Sequence, residues 1–286
     1  MYFMQKRISG EQKEKRQPLD VIERGDGNYT IIDGNRSFAA LKELGAKNLP
    51  VIVHPHPYQK DVKNLKQLYA LNLAAEDEYN NLMDDLQKNL GGELLKRSGI
   101  KKEKRVREKA KLEYNGDYSA ITDMWAATLV FPDEKSLLNA FDELKKRDDV
   151  IWINDRWHNP LPQGYKDVQL CIILSNGAIC ELQLHHKAVV EVNHTLDHYV
   201  YEFRRANIKN SKMKNCVERA LNFQKFLYET VWDGRYSQLD AETKKLLSET
   251  AKKLATEKSP INAEILLKRL EDTLRNNLPE EYNIAA

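Results

Sequence analysis

Asp123 and Glu181 are the residues whose type and setting most directly suggest chemistry in this sequence. Asp123 immediately precedes an apolar, β-like run, and Glu181 lies in a second one, 179-ICELQL-184. Two carboxylates brought together at one edge of a sheet are a common way to hold Mg²⁺ against a triphosphate, because Mg²⁺ prefers hard oxygen ligands and keeps several waters. One of the pair can also take a proton from an attacking hydroxyl. Taken singly, each also reads as a solvated acid at a strand end. Alternation within 179–184 puts Ile179, Glu181 and Gln183 on one face and Cys180, Leu182 and Leu184 on the other. The second set is expected on the core, with Glu181 and Gln183 facing a cleft.

Other residues could bind anions. The run 28-NYTIID-33 leads through Gly34, Asn35 and Arg36 straight into an apolar-periodic stretch. Free backbone N–H groups and an arginine at such a helix start favour negative charge. Asp33 or Asn35 capping the helix, with Arg36 solvated, is the alternative, and both readings stay open. Trp152 and Trp157 flank 154-NDR-156; core packing is the default there, with Arg156 and Lys166 as candidate ligand contacts. His54 and His56 sit in a Pro-rich turn, and the adjacent His185 and His186 would point to opposite strand faces, so no zinc spacing emerges. His198 shares a helix face with Tyr201 and Arg205 and is expected to pack beneath the site.

The elements that must position these groups follow from periodicity. Short strands at 19–24 and 28–33 flank the turn 25-GDG-27, a helix spans 34–45 with Gly45 at its end, and 49–55 returns as a strand. Residues 60–114 read as helical and charged, broken at 91-GG-92. Strand 125–131, helix 135–147, strand 149–154 and a hairpin turning at 174-LSNGA-178 come next. From about 186 onward the pattern is helical, interrupted near Asp233-Gly234 and at Pro260. This order argues an α+β fold, divided as a small α/β unit (1–58), a helical connector (59–99), a mixed sheet with helices (100–206) and a helical tail (207–286).

Composition narrows the classes. Of 286 residues, 41% are hydrophobic, which is enough for a buried core, and the net charge of +2 gives no global case for nucleic-acid binding. Basic charge is nonetheless concentrated in 101-KKEKRVREKAK-111. Cys171, Cys180 and Cys216 form no CxxC pair and suit a reducing compartment. No stretch is long and apolar enough to span a membrane, and no secretory h-region is visible, so a cytoplasmic protein is expected, with delivery into a target cell left open.

Two resemblances add to this. Residues 18-PLDVIERGDGNYTIIDGNRSFAALKELGAKNLPVIV-53 resemble the ParB-like (ParB/sulfiredoxin) fold, which implies that Gly34, Asn35 and Arg36 bind nucleotide phosphate. No Glu-Asn-x-x-Arg segment follows, the turn lacks a cysteine, and no helix-turn-helix is evident, so a recognition or folding module is expected there, without sequence-specific DNA binding. Further on, 123-DMWAATLVF-131, 159-NPLPQGYKDVQL-170, 181-ELQL-184 and 198-HYVYEFRR-205 resemble, in order, the motifs of the RelA/SpoT-like nucleotidyltransferase domain. The Gly-Tyr-Lys-Asp step is closer to its toxin-like branch than to the housekeeping alarmone synthetases. The resemblance implies Mg²⁺ on Asp123 and Glu181, Glu181 as an alternative general base, and Tyr165 stacked on an acceptor base. It implies ATP phosphates held by a residue among Arg107, Lys109 and Lys111. The implied reaction moves pyrophosphate from ATP to a ribose hydroxyl of a nucleotide or a tRNA 3′ end, and a toxin of this kind implies an immunity or antitoxin partner.

The sequence departs from that pattern at informative places. Leu161 stands where the synthetases have lysine, and Gln169 where they have histidine, which weakens the case for a guanosine acceptor. Ala126 stands where the toxin-like branch tends to have a phosphate-facing arginine. Either the chain is a naturally altered member, or an inactivating substitution occupies this position; the second reading is preferred. A catalytically inactive nucleotide-sensing protein is the alternative function, and a ParB-like DNA-binding module a third.

Overall fold

The computed structural model describes residues 19–23, 29–33, 38, 41–43, 45, 48–54 and 57–279. Strands β1 (Leu19–Glu23), β2 (Tyr29–Asp33) and β3 (Val51–His54) form a sheet in the order β2-β1-β3. β1 is antiparallel to β2 and parallel to β3. A parallel pair needs a crossover between its strands, and residues 41–43 are helical within it, with Gly45 following at φ +70°. The turn 25–27, the anion-binding candidates Gly34, Asn35 and Arg36, and His56 lie outside the described residues.

The stretch 60–114 departs from its all-helical reading. Helices α1 (Leu65–Leu73), α2 (Glu76–Leu90) and α3 (Glu103–Glu113) are present, but a strand β4 (Glu93–Lys96) intervenes. Gly91 and Gly92, both at positive φ, end α2 and turn the chain. The four residues ELLK then join a sheet edge, too short a run for strand alternation to register beside charged helices. β4 is the first strand of a five-stranded sheet ordered β4-β5-β8-β7-β6, with β5 (Ala126–Phe131), β6 (Val150–Asp155), β7 (Val168–Ile173) and β8 (Ile179–His186). Helix α4 (Glu134–Lys145) links β5 to β6. The hairpin β7–β8 turns through Gly177 at φ +86°, and Asn176 accepts from the Ala178 N–H at 3.0 Å.

Beyond the sheet come α5 (Lys187–Val192), a π-helical turn at Asn193–Asp197, α6 (His198–Asn207), α7 (Lys214–Trp232), α8 (Ala241–Ala255) and α9 (Pro260–Asn277). α7 ends at the Asp233-Gly234 break, and Pro260 is the first residue of α9, where its missing N–H is harmless. The architecture is α+β. Among the described residues no helix is long and apolar enough to cross a membrane.

Two units divide the chain: Met1–Leu129 with Leu138–Asp155 and Val168–Leu184, and Val130–Leu137 with Arg156–Asp167 and His185–Ala286. In the first, Leu68 of α1 and Val106 and Ala110 of α3 pack with Ile121 and Met124. In the second, Cys216, Ala220, Phe223 and Leu227 line one face of α7 within a core shared by α6, α8 and α9. All three cysteines are buried free thiols.

Candidate functional site

The first unit brings Asp123 and Glu181 together beside the start of β5. Asp123 sits between Ile121 and Met124, both 0% exposed. Burial of two such side chains contributes roughly 1.5–3 kcal/mol each and pins the backbone on either side of the aspartate. Polar contacts finish the anchoring. The Arg97 guanidinium donates to the carbonyls of Asp123 and Met124 at 2.9 and 3.3 Å, and the Lys101 N–H donates to Met124 O at 3.0 Å. Glu181, on β8, donates its backbone N–H to Trp125 O at 3.0 Å, which ties the two acidic segments together.

Both carboxyl groups are nearly buried, at 7% exposure each. Lys101 and Lys109 both reach Asp123 Oδ2, the latter at 3.0 Å, while Asp123 Oδ1 is buried and makes no hydrogen bond. Burial alone would raise the Asp123 carboxyl, but Lys109 and Lys101 outweigh it and pull it down to about 2. Lys109 is desolvated too, yet Asp123 and Tyr114 hold it above the usual lysine range; for Lys101 burial prevails and its ammonium is pushed down. Glu181 behaves oppositely to Asp123. Burial and the neighbouring Asp123 charge raise its carboxyl, although Gln169 and both lysines work against the rise.

The hairpin register accounts for the setting of Glu181. Gln169 pairs with Gln183 and Cys171 with Glu181, so all four side chains share one face. Gln183 donates to Glu181 Oε1 at 2.8 Å and Gln169 donates to Oε2. The face expected to open on a cleft is itself largely covered, because Ile179 and Cys171 pack on it with Ile151. Among the described residues no group of three or more His, Cys, Asp or Glu could hold a metal. Two hard carboxylates with one unpartnered buried oxygen nevertheless fit Mg²⁺, which typically takes one or two protein carboxylates and completes its shell with water and phosphate oxygens.

The sequence-predicted residues therefore fall into three places. Asp123, Glu181, Gln183 and Lys109 come together in the first unit, joined by Lys101 and Gln169, which the sequence reading did not select. Arg107 lies outward on α3, paired with Glu103 at 2.7 Å, and Lys111 is also exposed. Ala126, half-buried, begins β5, and its carbonyl accepts from the Arg97 N–H at 3.3 Å.

The third place is in the second unit, where Arg156, Tyr165 and Lys166 gather. Tyr165 donates to Asp167 Oδ2 at 2.9 Å and lies 3.2 Å from His185 Nε2, while Arg156 grips both Asp167 oxygens and sits over the Tyr165 ring at 5.6 Å. Burial and Asp167 push the Tyr165 hydroxyl well above its usual range, so it stays a donor. Burial would raise Asp167, but His185 and Arg156 hold it down. Lys166 lies over Trp157 and Trp232 at 5.6 and 5.0 Å. Helix α7 holds this loop: Trp232 donates to Gly164 O at 2.8 Å, and Tyr228 meets Tyr165 edge-on while donating to the buried Asp197 at 2.8 Å. His198, expected beneath the site, is exposed; its neighbour Asp197 is the buried residue, because the π-helical turn shifts the inward face by one position.

Gly164 is the tight point of this loop. Its φ is +88°, and a Cβ there would lie 3.1 Å from the Tyr228 Cβ. Gly164→Ala is expected to cost about 2 kcal/mol, combining left-handed strain with displacement of Tyr228, read as a lower urea midpoint at unchanged slope. A variant as stable as the parent would show that the loop yields freely.

Among solved structures, the chain is similar to the type VI effector Tas1 in complex with its immunity protein, at 18% identity and TM-score 0.40, covering 71% of this chain and 96% of that one. It is similar to small alarmone synthetase 1 from Bacillus subtilis bound to pppGpp, at 16% identity and TM-score 0.43, covering 60% and 93%. It is also similar to a GTP pyrophosphokinase family protein from Streptococcus pneumoniae, at 16% identity and TM-score 0.36, covering 63% and 96%. No curated protein sequence matches. Residues 7–66 match the ParB N-terminal domain.

Proposed function

We propose that the first unit carries a pyrophosphate-transfer site in which Asp123 and Glu181 hold Mg²⁺ and Lys101 and Lys109 meet the phosphates of ATP. The observation that carries this reading is the Asp123 carboxylate, buried between two lysines with Oδ1 unpartnered and Glu181 beside it. When bound, Mg²⁺ supplies neutralisation of the triphosphate charge. A ribose hydroxyl oxygen of a nucleotide or of an RNA 3′ end attacks the β-phosphorus of ATP. The bond from that phosphorus to the α–β bridging oxygen breaks, and AMP leaves. Glu181, whose carboxyl is raised, takes the hydroxyl proton. Lys101 and Lys109 turn from Asp123 to the phosphates, and positioning and charge do the rest.

The order of the four RelA/SpoT-like motifs supports the choice of ATP and of a ribose acceptor, and the Gly-Tyr-Lys-Asp step supports a toxin with an immunity partner. Arg156, Tyr165 and Lys166, in the second unit, are a proposed nucleotide-binding group, and Gly34, Asn35 and Arg36 a proposed second phosphate turn. Ala126 favours a second reading, nucleotide binding without turnover, since alanine supplies no cation at that strand start. One experiment separates the two. With Ala126→Arg, the protein is expected to move label from γ-labelled ATP to a nucleotide or tRNA and to release AMP. Saturable ATP binding with no AMP in either form is the outcome of the sensing reading, and absence of both removes the pyrophosphate-transfer reading.

A further inference from the structure

Two amides that the proposed reaction does not use, Gln59 and Asn72, are wholly buried at 0% exposure. They face the segment that carries Asp123. The Gln59 N–H donates to Ser119 O at 2.8 Å, and its side-chain Nε2 donates to Ile121 O. Asn72 Nδ2 donates to Gln59 Oε1 at 2.8 Å and to Leu68 O at 2.9 Å, and the Asn72 carbonyl accepts the Trp125 indole N–H at 2.8 Å. Residues 119, 121 and 125 are thus held by this pair on both sides of Asp123, while Trp125 stacks on Tyr79 with ring centroids 5.1 Å apart.

Such an arrangement is costly as mere packing. A buried primary amide is favourable only when its hydrogen bonds are made, and Asn72 Oδ1 is buried with no partner. An aliphatic side chain of similar volume would fill the same space without that penalty. What aliphatic residues could not do is fix the Ile121 carbonyl, which only the Gln59 side-chain amide reaches, itself held by the Asn72 amide; the bonds to Ser119 O and from the Trp125 indole use the backbones of residues 59 and 72.

We infer that Gln59 and Asn72 are positioning residues for Asp123: by fixing segment 119–125 they aim Oδ1 at a bound divalent cation. The cation part of this inference rests on the reading given under Proposed function. Gln59 also lies within the segment 7–66 that matches the ParB N-terminal domain, so the attachment of that segment is itself part of how Asp123 is held. Disturbing the attachment at Gln59 disturbs the carboxylate.

The test uses the full chain with Gln59→Met, which keeps volume and removes the amide. Trp125→Phe removes the indole donor together with part of the ring that stacks on Tyr79, and serves if the first variant does not fold. Leu270→Ala, in the core of the second unit, is the destabilised control. Two readouts are taken on folded protein: Mn²⁺ binding by its paramagnetic signal, and the carboxyl ¹³C resonance of Asp123, assigned by its loss in Asp123→Asn. Gln59→Met is expected to weaken Mn²⁺ binding about 10-fold, the scale of losing a group that orients a metal ligand, and to move the Asp123 resonance. Leu270→Ala should do neither. An Asp123 resonance that stays in place in both Gln59→Met and Trp125→Phe overturns the positioning role whatever the metal does. Mn²⁺ binding that survives Asp123→Asn overturns the metal reading, and a moved resonance would still uphold the positioning role.

Discussion

Asp123→Asn, made in protein that carries Ala126→Arg, is expected to lower label transfer from γ-labelled ATP by about 1,000-fold, the scale of losing several kcal/mol of metal-based charge stabilisation. The same substitution should lower stability, because Asp123 is what Lys101 and Lys109 share. Removing one member of a buried ion pair costs about 3–5 kcal/mol, since the remaining charge is left without a partner, and here two lysines would face each other. The pH dependence has a definite sign. The folded-state carboxyl lies near 2 against an ordinary value of 3.8, so its contribution is present above the ordinary value and disappears as pH falls through about 2. A difference of that size corresponds to about 2 kcal/mol. Parent and Asp123→Asn should therefore differ most in thermal midpoint near neutrality and draw closer under strong acid. Equal transfer rates would sink the assignment of Asp123 as a metal ligand, and equal midpoints across that range would sink the ion-pair account.

How much of this was readable beforehand depended on periodicity. Glu181 and Gln183 share a face because strands alternate, and the hairpin register then puts Gln169 diagonally opposite, where its amide reaches Glu181. Lys109 sat in a window chosen by charge, and helical spacing could have singled it out, since it lies one turn (i, i+3) from the buried Val106 while Arg107 and Lys111 face outward. Lys101 carries no such signal: it precedes α3, and only the chain path from β4 brings it to Asp123. Asp197 was hidden for a related reason, since a π-helical turn breaks the 3.6-residue rule just where the buried acid lies. Gln59 and Asn72 are polar residues in a polar stretch, and only long-range contact distinguishes them from solvated neighbours. The strand β4 was lost because pairing with β5, not local propensity, decides the state of a four-residue edge.

Glu181→Gln is expected to produce two effects of opposite direction. Without metal the variant should be more stable than the parent at neutral pH, read as a higher thermal midpoint. The reason is the raised carboxyl, which burial and the Asp123 charge both disfavour in its ionised form. A raised carboxyl gives its stabilising contribution below the ordinary value of 4.5 and loses it as pH rises through the folded-state value, so the variant's advantage should grow from acid toward neutral pH. The amides around it accommodate the change: the new side chain keeps one carbonyl acceptor, and Gln169 or Gln183 turns to offer its own oxygen to the new N–H₂. With Mg²⁺ the order reverses. A ligand at about 100 times its dissociation constant stabilises the state it binds by about 2.7 kcal/mol, and the parent alone has both carboxylates to bind it. Midpoints measured from acid to neutral pH, with and without millimolar Mg²⁺, decide the matter. A variant less stable than the parent at neutral pH without metal contradicts the strain on Glu181, and a parent indifferent to Mg²⁺ contradicts its use. Both effects together would mean that the fold keeps an unfavourable buried charge at a position where only a cation makes it favourable, as expected of a residue retained for function at the expense of stability.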